Sequence, residues 1–498
     1  MGITMIKRMR RTQPYGWARD PKLRDPRTSA IGRAAEQART ELAESAPLQS
    51  LKKPAGRIMV TLMIMLVMAT LLGAFPMPDA WPDLSIVWIC TSFLFAALGI
   101  LRVLACCVPW RPNTFVDDGV TLEAVPIWTI IVALYNEADS VPSLLKSLDE
   151  LEWAKDRLDV IFACEFDDFE TLRILSAFQR RYDFRIVRVP TGGPRTKPNA
   201  LQTALAFARG RFLTVYDAED RPDQQQLRVA FQAFLDGPPN LAVVQAPLVA
   251  WNHNESWIAG QFALDYAIWF RVMLPAFAHV SGLIPLGGTS NHFRTDVLRD
   301  VGGWDPFNVT EDADLGVRLG RRGYRANLIS PPTFEEAPPK ITSWVKQRGR
   351  WIQGHIQTFS MHLRAPIALW RDLGWRGIIA FLIGLGIGPM SALIVLPFGI
   401  GLTYSAFSSE RHGMWIPIII GILGHILAAC VACHRDGRWT LMTSVLTLPL
   451  YHCLQSFAAC RAMWRVVFTP SIWDKTEHGC AARWQKVKGK SAWISFRP

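Results

Sequence analysis

The sequence predicts an α/β domain that is inserted between α-helical membrane segments. Only 19% of the 498 residues are charged and 50% are hydrophobic, a low charge content for a soluble globular protein. Apolar stretches of membrane-spanning length lie on both sides of a central region. Within that region short β-branched runs alternate with amphipathic segments, a pattern that indicates a sheet covered by helices.

Five apolar stretches define the predicted membrane part. A spanning helix needs about 20 mostly apolar residues. The stretches that approach this length are Arg57 to Phe75, Leu84 to Val108, Gly377 to Tyr404, Met414 to Cys433 and Thr440 to Trp464. The third contains Pro389, so it crosses once, is partly interfacial or re-entrant, or forms two crossings. The fifth contains His452, Gln455 and Arg461, and it either crosses or lies in the interface.

The basic residues predict the orientation in the membrane. The formal net charge of +12 suits nucleic acid, anionic lipid or an anionic substrate. Because Lys and Arg cluster beside the apolar stretches, we expect membrane lipid and no nucleic acid as a partner. Lys and Arg are concentrated in the first 56 residues, in the Arg435 to Arg438 turn and in the tail after Thr469, and they are absent from Pro76 to Asp83. The positive-inside rule then places the central region in the cytoplasm and requires an even number of crossings, with four favoured.

The apolar stretches divide the chain into five predicted segments. These are a basic, poorly ordered cytoplasmic extension (1–56), two membrane helices (57–108), the α/β domain (111–372), membrane or interfacial helices (373–466) and a cytoplasmic tail (467–498). The 9 cysteines are scattered, which fits a reducing compartment and not a disulfide framework.

The central region alternates predicted strands and helices. The strands are Trp128 to Leu134, Leu158 to Cys164, Phe184 to Val189, Phe212 to Tyr216 and Leu241 to Gln245. The helices between them include Ser140 to Leu148, Lys197 to Ala208 and Gln224 to Phe234. This alternation predicts a mostly parallel sheet, and such sheets bind ligands at the carboxyl ends of their strands.

Polar clusters follow three of the predicted strands. Tyr135-Asn136-Glu137 follows the first, Glu165-Phe166-Asp167-Asp168 the second and Asp217-Ala218-Glu219-Asp220 the fourth. Any one of them also suits an ordinary turn or helix cap. Because the carboxyl ends of neighbouring parallel strands share one edge of a sheet, the three together predict a single binding site.

Asp217, Glu219 and Asp220 predict a metal site. Three carboxylates within four residues repel one another unless a cation neutralises them. Hard oxygen ligands suit Mg²⁺ or Mn²⁺, and these ions bridge one or two carboxylates to substrate phosphates. Lys197, at the start of the preceding helix, would add positive charge near a diphosphate.

Two further polar clusters lie downstream. Thr310-Glu311-Asp312 begins a predicted helix after a glycine-rich loop, with Thr310 as the N-cap residue. Capping explains these residue types but not their place after such a loop, where a carboxylate would face a substrate. Gln347, Arg350 and Trp351 lie on a predicted helix before the membrane. Arginine suits phosphate oxygens and tryptophan a sugar ring, although an Arg-Trp pair near a bilayer is usually an interface anchor.

The order of these motifs resembles the family 2 processive glycosyltransferases, which include cellulose, chitin, curdlan and hyaluronan synthases. The resemblance covers Pro126 to Gly479 and comprises Asn-Glu, an acidic pair, Asp-x-acid, Thr-Glu-Asp and Gln-x-x-Arg-Trp in that order. The sequences Asp217-Ala-Glu-Asp220 and Trp473 to Gly479 are similar to those of a bacterial branch of the family that includes proteins described as phage adsorption factors. The resemblance implies a cytoplasmic GT-A, Rossmann-like domain in a multi-pass protein of the bacterial inner membrane.

The resemblance also implies a role for each motif. The donor nucleotide would be bound by Asn136, Glu137, Lys197, Asp217 and, at the uridine, Asp167 or Asp168. The metal ligands would be Asp217 with Glu219 or Asp220, a departure from the family's Asp-x-Asp that leaves the second ligand open. The general base would be Asp312, beside Glu311, while Gln347 and Arg350 would hold the diphosphate and Trp351 the acceptor. A gating loop would contain Trp473, Lys475, Thr476 and His478.

The expected reaction is a single displacement in which a UDP-sugar extends a polysaccharide, with an export path between the helices that follow the domain. The alternatives are transfer of one sugar to a lipid acceptor and a catalytically silent membrane receptor or scaffold. The 19 residues after Gly479 are too few for the cyclic-dinucleotide domain of bacterial cellulose synthases. We therefore expect a separate partner to carry any such regulation or export.

Overall fold

The structure, a computed structural model, describes residues 30–73, 85–109, 125–191, 193–407 and 415–470. Its strands, β1 to β10, are Trp128–Leu134, Leu158–Glu165, Arg185–Val189, Phe212–Tyr216, Arg221–Pro222, Leu241–Gln245, Leu248–Ala250, Asn291–Arg294, Arg325–Leu328 and Thr333–Glu335. Its α-helices, α1 to α16, are Ala30–Ser45, Arg57–Gly73, Ser85–Cys106, Val141–Asp149, Phe169–Phe178, Lys197–Leu205, Gln226–Asp236, Trp257–Ile268, Leu274–Val280, Thr295–Asp300, Glu311–Arg321, Ile341–His362, Pro366–Phe381, Gly388–Phe407, Trp415–Asp436 and Leu448–Phe468.

Seven of the described strands form the main sheet, in the order β3-β2-β1-β4-β8-β6-β9. β8 is antiparallel to both of its neighbours, and the other neighbouring pairs are parallel. The predicted α/β domain is therefore confirmed, and the five predicted strands are β1, β2, β3, β4 and β6. The sequence does not predict β8, because it contains the polar Asn291 and His292. Both are buried in the sheet, where His292 Nδ1 lies 2.6 Å from the hydroxyl of Thr214.

The order in which successive strands are added to the sheet reverses between β1 and β4, which are parallel neighbours. β2 and β3 lie on one side of β1, and β4 lies on the other. Loops that leave the carboxyl ends of β1 and β4 therefore diverge and leave a crevice, the usual place for a ligand in such a sheet. β1 is held by packing on both faces, since Ile131 belongs to one hydrophobic cluster while Trp128 and Ile130 belong to another.

The N-terminal extension is not poorly ordered over residues 30–56, so that expectation is wrong for this part. α1 packs against α6 and buries Ala35, Ala38 and Leu42. Further along, the Leu51 N–H donates to Asp305 Oδ2 at 2.6 Å. Small apolar residues three or four apart give α1 one buried face. Because charged residues lie between them, the overall composition of the segment is polar and does not reveal that face.

Three of the described helical stretches are long and apolar enough to cross a membrane, namely Ser85–Cys106, Pro366–Tyr404 and Trp415–Asp436. α2 is apolar but has only 17 residues. α13 and α14 form one stretch through a π-helical turn, Leu382–Ile387. Pro389 follows that turn within α14 and does not break the stretch. Gly374, with φ of 61° and ψ of 178°, kinks α13 two residues after the predicted domain boundary at residue 372.

The stretch from Thr440 to Trp464 packs against the α/β domain. It begins with a 3₁₀-helix, Trp439–Thr447, in which the Thr447 hydroxyl accepts a hydrogen bond from Trp257 Nε1 at 2.8 Å. α16 then packs along α12, and its Arg465 Nε donates to Gln353 Oε1 at 2.8 Å. α16 also packs against α14, and its Ser456 hydroxyl donates to the carbonyl of Ala392 at 2.6 Å. Whether the stretch crosses or lies in the interface, and the count of four crossings, stay predictions.

Glycines bring α3 and α15 into close contact. A Cβ on Gly421 would lie 2.8 Å from the carbonyl oxygen of Phe95, so the glycine permits the two backbones to approach. Arg435 Nη2 donates to the carbonyl of Cys106 at 2.9 Å, which brings the C-terminal ends of both helices together. α3 and α15 therefore run in the same direction, and both end beside the α/β domain.

Candidate active site

A cavity of about 990 Å³ joins the crevice at β1 and β4 to the membrane helices. Polar side chains line its end in the α/β domain, including Tyr135, Glu137, Glu165, Arg195, Lys197, Asp217, Glu219, Glu311, Asp312, Gln347 and Arg350. Mostly apolar side chains of α3, α14, α15 and α16 line the other end. Motifs that are distant in the sequence thus face one space.

The polar clusters after β1 and β2 are bonded to each other. Asn136 has a positive φ of 54°, and its N–H donates to Asp168 Oδ2 at 2.6 Å. Asp168 also caps α5 and is buried, so it supports the loop behind the cavity wall. Asp167 instead lies 2.6 Å from Arg195, which lines the cavity together with Glu137. This geometry favours Asp167 over Asp168 as the nucleotide contact.

The three carboxylates after β4 have different surroundings. Asp217 and Glu219 line the cavity. Asp220 is buried, and its Oδ2 accepts the Asp217 N–H at 2.7 Å and the Thr289 hydroxyl. Burial and the neighbouring charges of Asp217 and Glu219 raise the pKa of Asp220 well above its usual value. Asp220 thus holds the loop in shape, and Glu219 is the better placed candidate for a second metal ligand.

Lys197 begins α6 and points into the same space. Its Nζ donates to the carbonyl of Gly288 at 2.6 Å and forms an ion pair with Asp217. Burial lowers the pKa of Lys197, but the charges of Asp217 and Glu311 outweigh burial and the net shift is upward. The side chain therefore keeps its charge, as a group that binds phosphate oxygens must.

Glu311 and Asp312 form the first turn of α11. Asp312 Oδ1 accepts the Ala313 N–H at 2.8 Å. A Cβ on Gly288 would lie 3.4 Å from Asp312 Oδ2 and 3.8 Å from Lys197 Nζ, so this glycine keeps the space beside both groups open. Burial raises the pKa of both carboxyl groups, and the charge of Asp312 raises that of Glu311 further. A carboxyl group of raised pKa in a cavity wall is suited to proton transfer.

Two neighbours of this acidic pair have structural roles. Thr310 is the N-cap residue of α11, as predicted, although its side chain makes no capping hydrogen bond. Asp314 is buried, with its oxygens 2.8 Å from Arg318 Nε and 2.9 Å from His362 Nε2. The acidic run thus contributes two carboxylates to the cavity and one to the core.

One face of α12 presents Gln347, Arg350 and Trp351 to the cavity. The Trp351 ring stacks against Tyr266 with their centroids 6.0 Å apart. Arg350 lies near enough to Glu311 and Asp312 for their charges to raise its pKa, although burial outweighs them and the net shift is downward. The helix therefore brings a cation and a flat aromatic face to the carboxylates of α11.

Asp217 and Glu219 are the residues that could hold a divalent metal ion. Among the described residues, no group of three His, Cys, Asp or Glu side chains is arranged as a metal site. Two cavity-lining carboxylates nevertheless fit Mg²⁺ or Mn²⁺, because these ions are held by one or two carboxylates and complete their shell with phosphate oxygens and water. Of the two residues left open as the second ligand, Glu219 lines the cavity, whereas Asp220 is hydrogen-bonded within its own loop and to Thr289.

Some cavity residues were not predicted as site residues, and some predicted ones cannot be placed. Glu165, at the end of β2, lines the cavity, and burial raises its pKa to about 7. Arg102 lines the end of the cavity that lies among the membrane helices. A charged residue inside an apolar stretch is the sequence feature that could have identified it as a site residue. The predicted gating residues Trp473, Lys475, Thr476 and His478 lie outside the described residues.

Two protein-family models match this part of the chain. The model of Glycosyl transferase family 2 matches residues 129–290, from β1 to β8. The model of Glycosyl transferase family group 2 matches residues 212–408, from β4 through α14. The two matches therefore cover most of the polar cavity wall and one of the membrane stretches.

Curated relatives and a solved structure agree with these models. The chain is 25% identical to beta-monoglucosyldiacylglycerol synthase from Synechocystis sp. over an alignment of 423 residues. The alignment covers 80% of this chain and 83% of that protein. It is 26% identical over 273 residues to poly-beta-1,6-N-acetyl-D-glucosamine synthase from Staphylococcus aureus, which is 54% of this chain and 62% of that protein. Mannosyltransferase PcManGT from Pyrobaculum calidifontis, in complex with GDP-Man and Mn²⁺, shares the fold at 20% identity and a TM-score of 0.50, over 76% of this chain and 99% of that chain. Residues 129–408 therefore contain a family 2 glycosyltransferase domain with the GT-A fold, and the chain is a glycosyltransferase with membrane-associated features.

Proposed function

We propose that the enzyme transfers a sugar, with inversion, from a nucleotide-activated sugar to a hydroxyl group of a membrane lipid. The observation that carries this proposal is the cavity, whose polar end contains Asp312 and whose apolar end lies between membrane helices. A lipid acceptor would leave its hydrocarbon tails among the apolar side chains and bring its hydroxyl to the polar end. The name of the Synechocystis relative, a synthase of a glucosylated diacylglycerol, supports a lipid acceptor.

Asp312 is the proposed general base. Its carboxylate accepts the proton of the acceptor hydroxyl while the hydroxyl oxygen attacks the anomeric carbon of the donor sugar. The nucleotide leaves from the opposite face of that carbon, so an α-linked donor yields a β-linked product. Gly288 leaves the space beside Asp312 Oδ2 that the reacting groups need.

Positive charge at the same polar end of the cavity stabilises the departing nucleotide. Lys197 and Arg350 would contact the diphosphate oxygens, and Asp167 would hold the nucleotide, which the family resemblance suggests is uridine. A Mg²⁺ or Mn²⁺ ion held by Asp217 and Glu219 would offset the negative charge that develops on the leaving group. The Mn²⁺ in the complex of PcManGT with GDP-Man supports such an ion.

Extension of a polysaccharide is the second candidate, and the position of Trp351 favours it. The ring lies in the cavity wall against Tyr266, where it offers a flat surface to a sugar of the acceptor. The name of the Staphylococcus relative, a polysaccharide synthase, supports this second candidate. In that case the apolar end of the cavity would begin an export path.

A product assay tests the proposal. We expect purified protein in detergent, with Mn²⁺ or Mg²⁺ and a lipid extract, to move label from one of a panel of radiolabelled UDP- and GDP-sugars into a lipid-sized product. The transfer should stop when EDTA removes the metal. Label in high-molecular-weight material would instead establish polysaccharide synthesis, and transfer that is unaffected by EDTA would contradict the metal.

The rate of transfer should fall as the pH drops through the pKa of Asp312. Burial raises this pKa, so the carboxyl group binds its proton at a higher pH than an ordinary aspartate of pKa about 3.9. Because the protonated form cannot act as a base, the acid limb of kcat should lie clearly above about pH 4. Single-turnover rates measured across this range test the expectation, with nucleotide binding measured in parallel to exclude loss of donor. A limb at or below the ordinary aspartate value would contradict it.

A further inference from the structure

Three polar side chains from three helices line the membrane end of the cavity. They are Arg102 from α3, His425 from α15 and His452 from α16. The two histidine rings meet edge to face with their centroids 5.1 Å apart. Arg102 is close enough for its charge to act on both rings. These residues form a group within an otherwise mostly apolar wall, which we call the basic cluster.

The basic cluster is only partly satisfied by its surroundings, since His452 is hydrogen-bonded to the Gln455 side chain. His425 Nε2 is buried without a hydrogen-bond partner among the described residues. The carboxylate that acts on Arg102 is that of Asp265. That carboxylate already forms an ion pair with Arg348 and accepts a hydrogen bond from the Tyr451 hydroxyl at 3.1 Å. Polar groups on membrane helices are costly to keep, so a cluster that combines the unpartnered His425 Nε2 with the charge of Arg102 calls for an anionic ligand.

The position of the cluster matches the head group of a lipid. Arg102 lies one helical turn before Cys106, at the end of α3 next to the α/β domain. Beyond it the cavity wall is apolar and includes Phe398, Leu402 and Ile422. Basic pockets between membrane helices at this level bind lipid head groups, while the apolar wall accommodates hydrocarbon chains. Uncharged sugar units of a polysaccharide would leave the charge of Arg102 without a partner.

We propose that the basic cluster binds the phosphate of an acceptor lipid in which a phosphodiester lies between the hydrocarbon chains and the hydroxyl group that receives the sugar. The inference rests on the proposed lipid acceptor and names its class. Arg102 supplies a charge-assisted hydrogen bond to the phosphate, and the unpartnered His425 Nε2 supplies a second contact. The hydroxyl beyond the phosphate then extends along the cavity towards Asp312. A neutral diacylglycerol leaves the cluster empty and binds more weakly.

Lipid binding to the full chain in detergent, followed by native mass spectrometry, tests the proposal. The probes are dioleoyl phosphatidylglycerol and dioleoylglycerol, which share their tails and differ by the glycerophosphate group. We expect the phospholipid to bind at least about tenfold more tightly, the value of one charge-assisted hydrogen bond. Arg102→Gln and His425→Leu should each reduce this preference. Arg376→Gln removes the same charge from an exposed site on α13 outside the cavity wall and should leave the preference intact.

Three further results decide the outcome. Equal binding of the two lipids, or a preference that survives both cluster variants, would overturn the proposal. Displacement of the phospholipid by inorganic phosphate at equal concentration would also overturn it, because the site would then be one for free phosphate. Metal-dependent nucleotide binding checks that each variant is folded, since the donor site is at the other end of the cavity.

Sugar transfer by the same samples separates this inference from the proposed function. Transfer to dioleoylglycerol as fast as to phosphatidylglycerol would leave the lipid-acceptor function in place and overturn the phosphate site. Label found only in a polymer, with the binding preference for the phospholipid intact, would overturn the lipid-acceptor function but support the phosphate site.

Discussion

Asp312→Asn should lower the rate of sugar transfer by about a thousandfold while nucleotide binding stays near normal. The asparagine keeps the size of the side chain, and its carbonyl oxygen still accepts the Ala313 N–H. It cannot accept the proton of the attacking hydroxyl, so the loss should appear in kcat and not in the affinity for the donor. Stopped-time assays with saturating donor, together with calorimetric titration of UDP, measure the two quantities separately.

Asp296→Asn is the matched control for this experiment. It makes the same change of charge in the same domain, but the Asp296 carboxylate is exposed and pairs with Arg294 at 3.2 Å, away from the cavity. Its turnover should remain within about twofold of the unmodified enzyme, as expected of surface substitutions. If Asp312→Asn retained similar turnover, the assignment of the base would be wrong, and Glu311 would be the next carboxylate to test.

Asp217→Ala should abolish the increase in nucleotide affinity that Mg²⁺ or Mn²⁺ produces. Asp217 lines the cavity and is the ion-pair partner of Lys197, so its loss removes one proposed metal ligand and releases the ammonium group. Even indirect partners of metal ligands change metal affinity by about 10–100-fold, so a direct ligand should cost at least as much. Calorimetric titration of UDP with and without Mn²⁺ provides the measurement, and unchanged metal dependence would contradict the assignment.

Glu219→Gln and Asp220→Asn form a matched pair that decides the second ligand. Each removes one carboxylate charge without changing the size of the side chain. Glu219→Gln should weaken metal-dependent nucleotide binding, because Glu219 lines the cavity. Asp220→Asn should have little effect, because its amide oxygen can still accept the bonds that Asp220 Oδ2 accepts from the Asp217 N–H and the Thr289 hydroxyl. The reverse pattern would identify Asp220 as the ligand.

The polar end of the cavity could be located from the sequence because the signals for it are local. β1 and β4 are runs of mostly apolar residues that include β-branched side chains, and polar residues follow each run directly. The carboxyl ends of such parallel strands must share one edge of the sheet. This reasoning brings Glu137 and Asp217 together from the sequence alone, and both line the cavity.

Adjacent carboxylates could not be told apart in this way. Glu219 and Asp220 are neighbours in one turn, yet one lines the cavity and the other is buried. Asp220 is held by Thr289, which arrives with the chain leading into β8, a strand that the sequence does not reveal. Asp167 and Asp168 differ for a similar reason, since the Asn136 N–H from the neighbouring loop binds only Asp168.

The sequence by itself determined the fold class, three of the five apolar stretches and the polar motifs, because each depends on the periodicity and composition of short segments. Only the tertiary structure decided which carboxylates face the cavity, that residues 30–56 pack on the α/β domain, and that α16 lies along α12. It also brought together Arg102, His425 and His452, which are more than 20 residues apart in the chain. Such arrangements arise from packing between distant segments, and the hydrophobic and charge patterns within a segment do not specify its partner.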